Sequence, residues 1–231
     1  MAWAEKYKGV ASTAEIHPTA VIGEGVSIGR NVVIYPHTEI RDGATIYDNS
    51  VIGRPTHRAG HNPSFGATTV IGQDSVIGSD CTIYTGTWIG KNVLVGDGVR
   101  IRENCEITAE CIIGSNCTFQ NDVVMLPRSR VIDLSHITAG VIIGEGAFVS
   151  TGVLTMNDDS FNGNNAEGDS TLNAPKIGAG ASVGGGAVLL PGVNVGNGAV
   201  VAAGSIVTKD VAAGTTVMGV AAKRRYLQPN D

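Results

Sequence analysis

The sequence predicts an all-β fold in which very short strands wind into triangular coils, and three observations support this prediction. An aliphatic residue returns at every sixth position over most of the 231 residues. Glycine is abundant, at 32 residues, and it often follows that aliphatic residue. Aromatic side chains supply only 5% of the chain, so the core must consist of small and branched side chains. A regular repeat of this kind indicates a solenoid, in which each coil packs on the one before it.

The six-residue period runs through three blocks of the chain, at residues 16–52, 71–155 and 177–207. Four places after nearly every repeated aliphatic residue stands a small or β-branched residue, such as Val26 or Ala44. Side chains alternate along a strand, so we expect these two positions, at the ends of each short strand, to point inward. The residue in the middle of the strand, directly before the repeated aliphatic residue, is expected to point outward. Three such strands would close one coil of about 18 residues.

Two insertions interrupt the period, at about residues 55–69 and 156–175. We name the three sides of the coil by their repeats: face A carries Ile71 and Ile89, face B carries Ile77 and Val95, and face C carries Ile83 and Ile101. Both insertions follow a face-C repeat, so both loops are expected to leave the same edge. Long loops on a regular scaffold are usually functional.

Composition and charge exclude several classes of protein. The net charge is −5 and no basic run is present, so nucleic acid is not an expected partner. No apolar stretch approaches the length of a membrane span, and the N-terminal residues do not resemble a secretory signal. The cysteines Cys81, Cys105, Cys111 and Cys117 occupy small inward positions. We therefore expect buried free thiols and a reducing, cytoplasmic compartment.

His136 is the candidate catalytic residue. It immediately precedes Ile137, so we expect it at the outward mid-strand position of face C, one coil below Leu154. The second insertion begins two residues after Leu154. A histidine outside the core and beside a long loop can act as a general base, and Asp133 at the preceding corner could orient its ring. A surface or subunit-interface histidine is the alternative interpretation.

The insertions carry further polar candidates. Asn157 and Asp158 stand at the root of the second insertion and could position a substrate. In the first insertion His57 and His61 have four-residue spacing, which would suit a metal on a helix. Pro55 argues against a helix there, so substrate contact or interface packing is the preferred interpretation and no metal is predicted.

The edge between faces B and C, here the B–C edge, changes along the chain. Its corners are bulky or polar in the early coils and small above the coil of His136. The small corners are Thr151-Gly152, Gly185-Gly186 and Ala203-Gly204. We interpret them as a channel of nearly bare backbone that could bind an extended, amide-containing ligand arm, although ordinary tight turns would look the same. Near its top, Lys209 and Lys223 could hold phosphate groups, or Lys223 could belong to a solvated tail.

Apolar residues also occupy outward mid-strand positions, where a free prism should be polar. Examples are Trp88 and Ile142 on face A and Leu94 and Phe148 on face B. Ladders of exposed apolar residues mark association surfaces, so self-association is expected.

The repeats and the segment 177–209 resemble the hexapeptide-repeat acyltransferases. The corner signatures that carry the resemblance are Ile22-Gly23, Ile89-Gly90 and Ile143-Gly144. The resemblance covers about residues 14–222 and implies a single left-handed parallel β-helix of about nine 18-residue coils with two inserted loops. We place that domain at residues 1–222, with a short tail at 223–231. The segment 218–223 departs from the family pattern, because it lacks the usual proline after glycine.

The same resemblance implies an acyl-CoA donor, acetyl-CoA, whose pantetheine lies along an edge between the subunits of a homotrimer. The predicted function is transfer of the acetyl group to an amine or hydroxyl of a sugar or nucleotide-linked sugar, as in polysaccharide biosynthesis. His136 would take the acceptor proton, and backbone N–H groups near Thr151 and Gly152 would stabilise the oxyanion. The predicted donor contacts are Thr151, Gly152, Gly185, Ala203, Lys209 and Lys223.

Two other classes of function stay open at this point. One is a metal hydrolyase like the γ-class carbonic anhydrases, which would need three histidine ligands at a subunit junction. Only His136 is well placed for that. The other is a non-catalytic β-helix that serves as a scaffold or binding module.

Overall fold

A computed structural model of the chain describes residues 9–56, 67–159 and 172–219, and these residues form a left-handed parallel β-helix. The described part contains three parallel sheets and no helix. Within it, therefore, no helix has the length and apolar character of a membrane span.

Each sheet forms one face of the prism. Face A consists of β2 (Val21–Ile22), β5 (Thr38–Ile40), β8 (Thr69–Ile71), β11 (Trp88–Ile89), β14 (Glu106–Ile107), β17 (Val124–Met125), β20 (Ile142–Ile143), β23 (Lys176–Ile177) and β26 (Asn194–Val195). Face B consists of β3 (Ser27–Ile28), β6 (Thr45–Ile46), β9 (Val76–Ile77), β12 (Leu94–Val95), β15 (Ile112–Ile113), β18 (Arg130–Val131), β21 (Phe148–Val149), β24 (Ser182–Val183), β27 (Val200–Val201) and β29 (Thr216–Val217). Face C consists of β1 (Glu15–Ile16), β4 (Val33–Ile34), β7 (Val51–Arg54), β10 (Thr82–Tyr84), β13 (Arg100–Ile101), β16 (Thr118–Phe119), β19 (His136–Ile137), β22 (Leu154–Thr155), β25 (Val188–Leu189) and β28 (Ile206–Val207).

The register confirms the predicted coil. Each strand pairs in parallel with the strand one coil above it, so that Trp88 lies beside Glu106 and Ile89 beside Ile107. Two faces have ten strands and one has nine, which gives about ten turns. The repeats suggested about nine turns, and β29 adds one strand, a third of a turn, after the last of them. Both insertions join a face-C strand to a face-A strand and therefore leave the same edge, here the C–A edge.

The core is a stack of the inward residues of all three faces. The repeated aliphatic residues from Ile40 to Leu189 are almost completely buried, and Phe119 and Met125 fill the same position in the middle coils. Burying a side chain of this size stabilises the fold by about 1.5–3 kcal/mol, so the repeated aliphatic residues supply most of the favourable free energy.

The second inward position holds small residues, and its polar members are paired by one recurring bond. The Oγ of Ser75 donates to the carbonyl of Gly90 at 2.7 Å, and the Oγ of Ser135 donates to the carbonyl of Ser150 at 3.0 Å. The Sγ of Cys105 makes the same bond to Gln120 at 3.0 Å. All four cysteines are buried and free, as predicted. Hydroxyl and thiol groups thus tie successive coils together from within.

Two buried hydroxyls break this rule at the root of the first insertion. The Oγ1 atoms of Thr38 and Thr69 have no hydrogen-bond partner among the described residues, and each residue is 1% exposed. Gly53 adds an extra residue to β7, so the register shifts between Ile83 and Tyr84. Gly53 has a φ of 76°, and a Cβ there would come within 2.3 Å of the Thr38 Oγ1. This bulge is the local irregularity beside the two unpaired hydroxyls.

Nearly every corner among the described residues uses one residue in the left-handed conformation. Twelve of these residues are not glycine, and eight of the twelve are Asn or Asp, which tolerate positive φ best. The residue before the left-handed one often donates its backbone N–H to a side-chain oxygen of the coil above. For example, the N–H of Arg30 donates to the Oδ1 of Asp48 at 2.7 Å. Corners are therefore held by both backbone geometry and inter-coil hydrogen bonds.

The unpaired hydroxyls lead to a stability prediction. Thr38→Val keeps the side-chain shape and removes a buried donor without a partner, so it should raise the free energy of unfolding by about 1 kcal/mol. Thr87 is the matched control, because its Oγ1 donates to the carbonyl of Arg102 at 2.9 Å. Thr87→Val should lower the free energy of unfolding by about 1–3 kcal/mol, since it leaves that carbonyl unpaired. Urea denaturation measures both free energies of unfolding. Equal changes in the two variants would contradict the conclusion that the Thr38 hydroxyl is unpaired.

The buried thiols predict a loss of stability at high pH. Burial raises the pKa of Cys81 to about 11 and that of Cys105 to about 12. The unfolded chain loses these protons from a pH of about 8.5 upward. The free energy of unfolding should therefore be constant below that pH and fall as the pH rises toward 11–12. Urea denaturation at a series of pH values tests this, with Cys105→Ser as the control that should show a weaker fall.

Candidate functional site

His136 occupies the outward position of β19, in the middle of face C. Its strand neighbours are Thr118 on the coil below and Leu154 on the coil above. The main-chain N–H of His136 donates to the carbonyl of Val153 at 2.9 Å, so the backbone belongs to the regular ladder. The residue is half-buried. Among the described residues the imidazole ring has no hydrogen-bond partner, and both ring nitrogens are available to a ligand.

The outward column of face C changes character at His136. Below it lie Thr118 and Arg100, and above it lie Leu154, Val188 and Ile206. Leu154 is 38% exposed and Ile206 is 67% exposed. Neighbouring strands are spaced by about 4.8 Å, so this apolar column extends about 14 Å above the imidazole. An exposed apolar stripe that begins at a histidine is a surface suited to a ligand or a second subunit.

The B–C edge runs beside this column. Above the coil of His136 its corners are formed by Thr151-Gly152, Gly185-Gly186 and Ala203-Gly204, as the sequence indicated. The N–H groups of Gly152, Gly186 and Gly204 donate to the carbonyls of Asp133, Thr151 and Gly185, each at 2.9 Å. A Cβ on any of these three glycines would meet no atom within 4 Å. The surface of this edge is therefore bare backbone with open space in front of it.

The glycines alone do not distinguish this edge. From Gly140 to Gly214 every described residue with positive φ is a glycine, on all three edges. The B–C edge does differ from the edge between faces A and B in the residue before each of these glycines. On the edge between faces A and B, the Oδ1 of Asn197 still caps the N–H of Ala179 at 2.9 Å. On the B–C edge, Gly185 and Ala203 have no side-chain oxygen, so neither can accept a hydrogen bond from the N–H of the corner below.

This difference leaves backbone donors free. In the lower coils of the B–C edge, a carboxylate of the next coil accepts from the N–H of Arg30, Ser79 and Ser115 at 2.7–2.8 Å. The equivalent N–H groups of Thr151, Gly185 and Ala203 have no partner among the described residues. The N–H of Gly152 is already used, so only the Thr151 N–H of that corner is available for an oxyanion. The sequence-based proposal named both groups, and the structure retains one of them.

Asp133 has a structural contact that the sequence did not reveal. Its Oδ1 accepts from the N–H of Ser115 at 2.8 Å, one coil below. It thus belongs to the same series of corner caps as Asp48 and Asp97. No hydrogen bond joins Asp133 to His136 among the described residues. The role of Asp133 in orienting the imidazole stays a prediction.

Asn157 closes the root of the second insertion. Its Nδ2 donates to the carbonyl of Ala139 at 3.0 Å, and its own carbonyl accepts from the N–H of Asn173 at 2.8 Å. Asp158 follows it and is exposed. These residues lie at the C–A edge, on the opposite side of face C from Thr151 and Gly152. His136 therefore stands between the loop root and the bare B–C edge.

Two cavities flank face C, and sequence reasoning did not find the first. A polar cavity of about 450 Å³ at the C–A edge is lined by Asn121, Asp122, Asn173 and Lys176, beside the loop root. A smaller cavity of about 210 Å³ at the C-terminal end of face C is lined by Ile206, Lys209 and Met218, among others. Lys209 thus lies at the top of the apolar column. The sequence did not reveal the cavity at the C–A edge, because residues from before and after the second insertion line it together.

Some predicted residues lie outside the described part of the chain. These are Lys223, His57 and His61, together with residues 160–171 of the second insertion. Among the described residues, no group of three or more His, Cys, Asp or Glu side chains could hold a metal ion.

Comparisons with known proteins agree with this geometry. Residues 9–103 match the family model described as GMPPB C-terminal domain, and residues 176–209 match the hexapeptide repeat of succinyl-transferase. The chain is 42% identical to serine acetyltransferase 2 of Arabidopsis thaliana over 46% of this chain, and 36% identical to serine acetyltransferase of Escherichia coli (strain K12) over the same share. Over these segments the chain is similar to hexapeptide-repeat acyltransferases.

The chain spans only about a third of the length of these curated relatives. The aligned region spans 33% of the Arabidopsis thaliana protein and 38% of the Escherichia coli protein. Among solved structures, UDP-N-acetylglucosamine O-acyltransferase from Moraxella catarrhalis RH4 superposes with a TM-score of 0.51 at 17% identity, covering 88% of this chain and 71% of that chain. At that identity the structural likeness supports the β-helix fold alone.

Proposed function

We propose that this protein is an acyltransferase that moves an acyl group from acyl-CoA to a hydroxyl or amine of a small polar acceptor. His136 is the general base, the B–C edge binds the donor, and the loop root at the C–A edge receives the acceptor. Serine acetyltransferase relatives support the reaction class.

One observation carries the proposal: a free backbone donor and a free imidazole lie on adjacent coils. The N–H of Thr151 has no partner among the described residues, whereas the equivalent N–H groups of Arg30, Ser79 and Ser115 bind carboxylate oxygens at 2.7–2.8 Å. This N–H is therefore free to donate a hydrogen bond to an anionic oxygen. His136 lies on the coil below, with both ring nitrogens unpaired. A base and an oxyanion donor in this proximity suit acyl transfer to a nucleophile.

The reaction can be written from these groups. The imidazole of His136 takes the proton of the acceptor hydroxyl or amine as its oxygen or nitrogen attacks the thioester carbonyl carbon. The carbonyl oxygen becomes negative and accepts a hydrogen bond from the Thr151 N–H. When the C–S bond breaks, the imidazolium returns the proton to the leaving thiolate. The products are the acylated acceptor and free CoA, and His136 is restored.

The donor we propose is acetyl-CoA, with its pantetheine arm along the B–C edge. The free N–H groups of Gly185 and Ala203 suit the amide carbonyls of that arm, and the adjacent column of Leu154, Val188 and Ile206 suits its methylene groups. Lys209, in the cavity at the top of face C, would bind phosphate oxygens. Lys223 has the same proposed role.

The acceptor we propose is a sugar or nucleotide-linked sugar, of the kind used in polysaccharide biosynthesis. The polar cavity at the C–A edge, beside Asn157 and Asp158, has room for a small molecule of this type. Because the curated relatives are serine acetyltransferases, serine belongs in any test of the acceptor.

We further propose a homotrimer in the cytoplasm. Leu94 and Ile112 form an exposed apolar pair on face B, and Ile142 is exposed on face A. Such residues suit subunit contacts. The four free thiols suit a reducing compartment.

The direct test is a screen of purified protein with acetyl-CoA against amino sugars, nucleotide sugars and serine, measuring the release of free thiol. The protein's own thiols should give little background because all four are buried. Thiol release that depends on one acceptor, with an acetylated product in the mass spectrum, supports the proposal. No turnover with any acceptor would refute it.

His136→Ala should lower kcat by about a hundredfold or more, because general bases contribute roughly 10²–10⁴ to the rate. The oligomeric state should not change, since the ring makes no hydrogen bond to a described residue. Steady-state kinetics and light scattering measure the two effects. A variant that keeps most of its activity would remove His136 from the mechanism.

Asp133→Asn belongs in the same experiment, as a control for local structure. Asparagine can keep the Oδ1 contact to Ser115, as Asn197 does to Ala179. If Asp133 orients the imidazole by its charge, this variant loses kcat and changes the pH–rate profile. If it only caps the corner, both stay near those of the original protein.

Gly186→Asn and Gly180→Asn form a matched pair for the donor channel. The two glycines have φ values of 67° and 63°, and a Cβ on either would meet nothing within 4 Å. Asparagine tolerates this backbone, as Asn116 shows. Only Gly186 lies on the B–C edge, so only Gly186→Asn should raise the KM for acetyl-CoA. The new side chain would stand where the donor arm is proposed to bind. If it costs the arm one hydrogen bond to the backbone of this edge, ~1.4 kcal/mol, the KM for acetyl-CoA should rise about tenfold. Equal changes in this KM for the two variants would mean that the donor does not bind along the B–C edge.

A further inference from the structure

Leu134 has a backbone conformation that its side chain does not favour. Its φ is 62°, and it is the one aliphatic residue among the twelve non-glycine residues with positive φ in the described chain. In this region Cβ comes too close to the following carbonyl oxygen, which is why Asn, Asp or Gly usually occupies it. The corner does not require leucine: Asn116 occupies the equivalent position below and Gly152 the one above.

Burial does not explain Leu134 either. The residue is 62% exposed, so its side chain gains little from the core. Its N–H donates to the carbonyl of Ser115 at 3.0 Å, as the other corner residues do, so the backbone there is regular. An exposed aliphatic side chain held in an unfavourable conformation points to a function outside the fold itself.

The position of Leu134 indicates what that function is. It is the last corner of the B–C edge that carries a side chain at the left-handed position, directly below the bare corners of Gly152, Gly186 and Gly204. It also precedes His136 by two residues on the same coil. Leu134 therefore forms the floor of the bare edge at the level of the candidate base.

We propose that Leu134 limits the length of the acyl group that the enzyme transfers. This inference rests on the proposed function. If the donor arm descends the B–C edge from Lys209 and its thioester lies at His136, the acyl group extends beyond the thioester toward Leu134. The leucine side chain can contact an acetyl methyl group and would occupy the space that a longer chain needs. One methylene in an apolar site changes kcat/KM by about ten- to two-hundredfold, so a single side chain suffices for this selection.

The test compares kcat/KM for acetyl-, butyryl- and hexanoyl-CoA in four proteins. The original protein should prefer acetyl-CoA. Leu134→Gly should raise the hexanoyl-to-acetyl ratio by at least about tenfold, because it removes the whole side chain. Leu134→Met, of similar size, should keep the original ratio. Glu110→Gly is the control for backbone relief, since Glu110 has a φ of 62° on the edge between faces A and B, and it should also keep the original ratio.

The outcomes separate this inference from the proposed function. If the proteins consume acetyl-CoA but Leu134→Gly keeps the original ratio, the role of Leu134 is wrong and the acyltransferase stands. If the original protein already uses hexanoyl-CoA as well as acetyl-CoA, the inference is also overturned. If the original protein consumes no acyl-CoA with any acceptor, both fall. Should circular dichroism show that Leu134→Gly is unfolded, Leu134→Asn, matched to Asn116, replaces it with the same expected direction.

Discussion

Each coil of this protein closes because nearly every edge turns through one residue in the left-handed backbone conformation. Without that residue the chain could not bend sharply between strands of two or three residues, and the inward aliphatic side chains would not stack. Among the described residues, thirteen glycines and twelve other residues, most of them Asn or Asp, have this conformation at corners. The core, the three sheets and the position of both insertions depend on this repeated turn. It also explains why the chain is rich in glycine.

The chain meets the same requirement in two ways, and the difference has a functional consequence. In the lower coils the corner side chains bond to one another, as when the Nδ2 of Asn31 donates to Asn49 and the Nδ2 of Asn49 donates to Asp80. From Gly140 onward glycine replaces them, and on the B–C edge the capping side chains are lost as well. Backbone N–H groups that are paired inside the lower part of the prism become available to a ligand in the upper part.

The two flanks of His136 differ for a related reason. At the C–A edge, Asn157 anchors the second insertion to Ala139, which brings polar side chains beside the face. At the B–C edge, the absence of side chains leaves a groove next to an apolar column. In the proposed function, His136 is the base, the polar cavity is the acceptor side and the apolar groove is the donor side. Leu134 lies on the B–C edge at the level of His136.

The sequence by itself determined the coil, the faces and the outward position of His136, because a six-residue period is a local property and side-chain alternation follows from it. It also located both insertions on one edge and the cysteines in the core. The tertiary structure alone decided which polar groups are paired. The bond from Ser115 to Asp133 and the bond from Asn157 to Ala139 each join residues about one coil apart. The unpaired hydroxyls of Thr38 and Thr69 lie beside a bulge at Gly53 that no repeat reveals. Hydrogen bonds between coils depend on the exact path of two backbones in space, and the repeat pattern fixes only the order of residues along one.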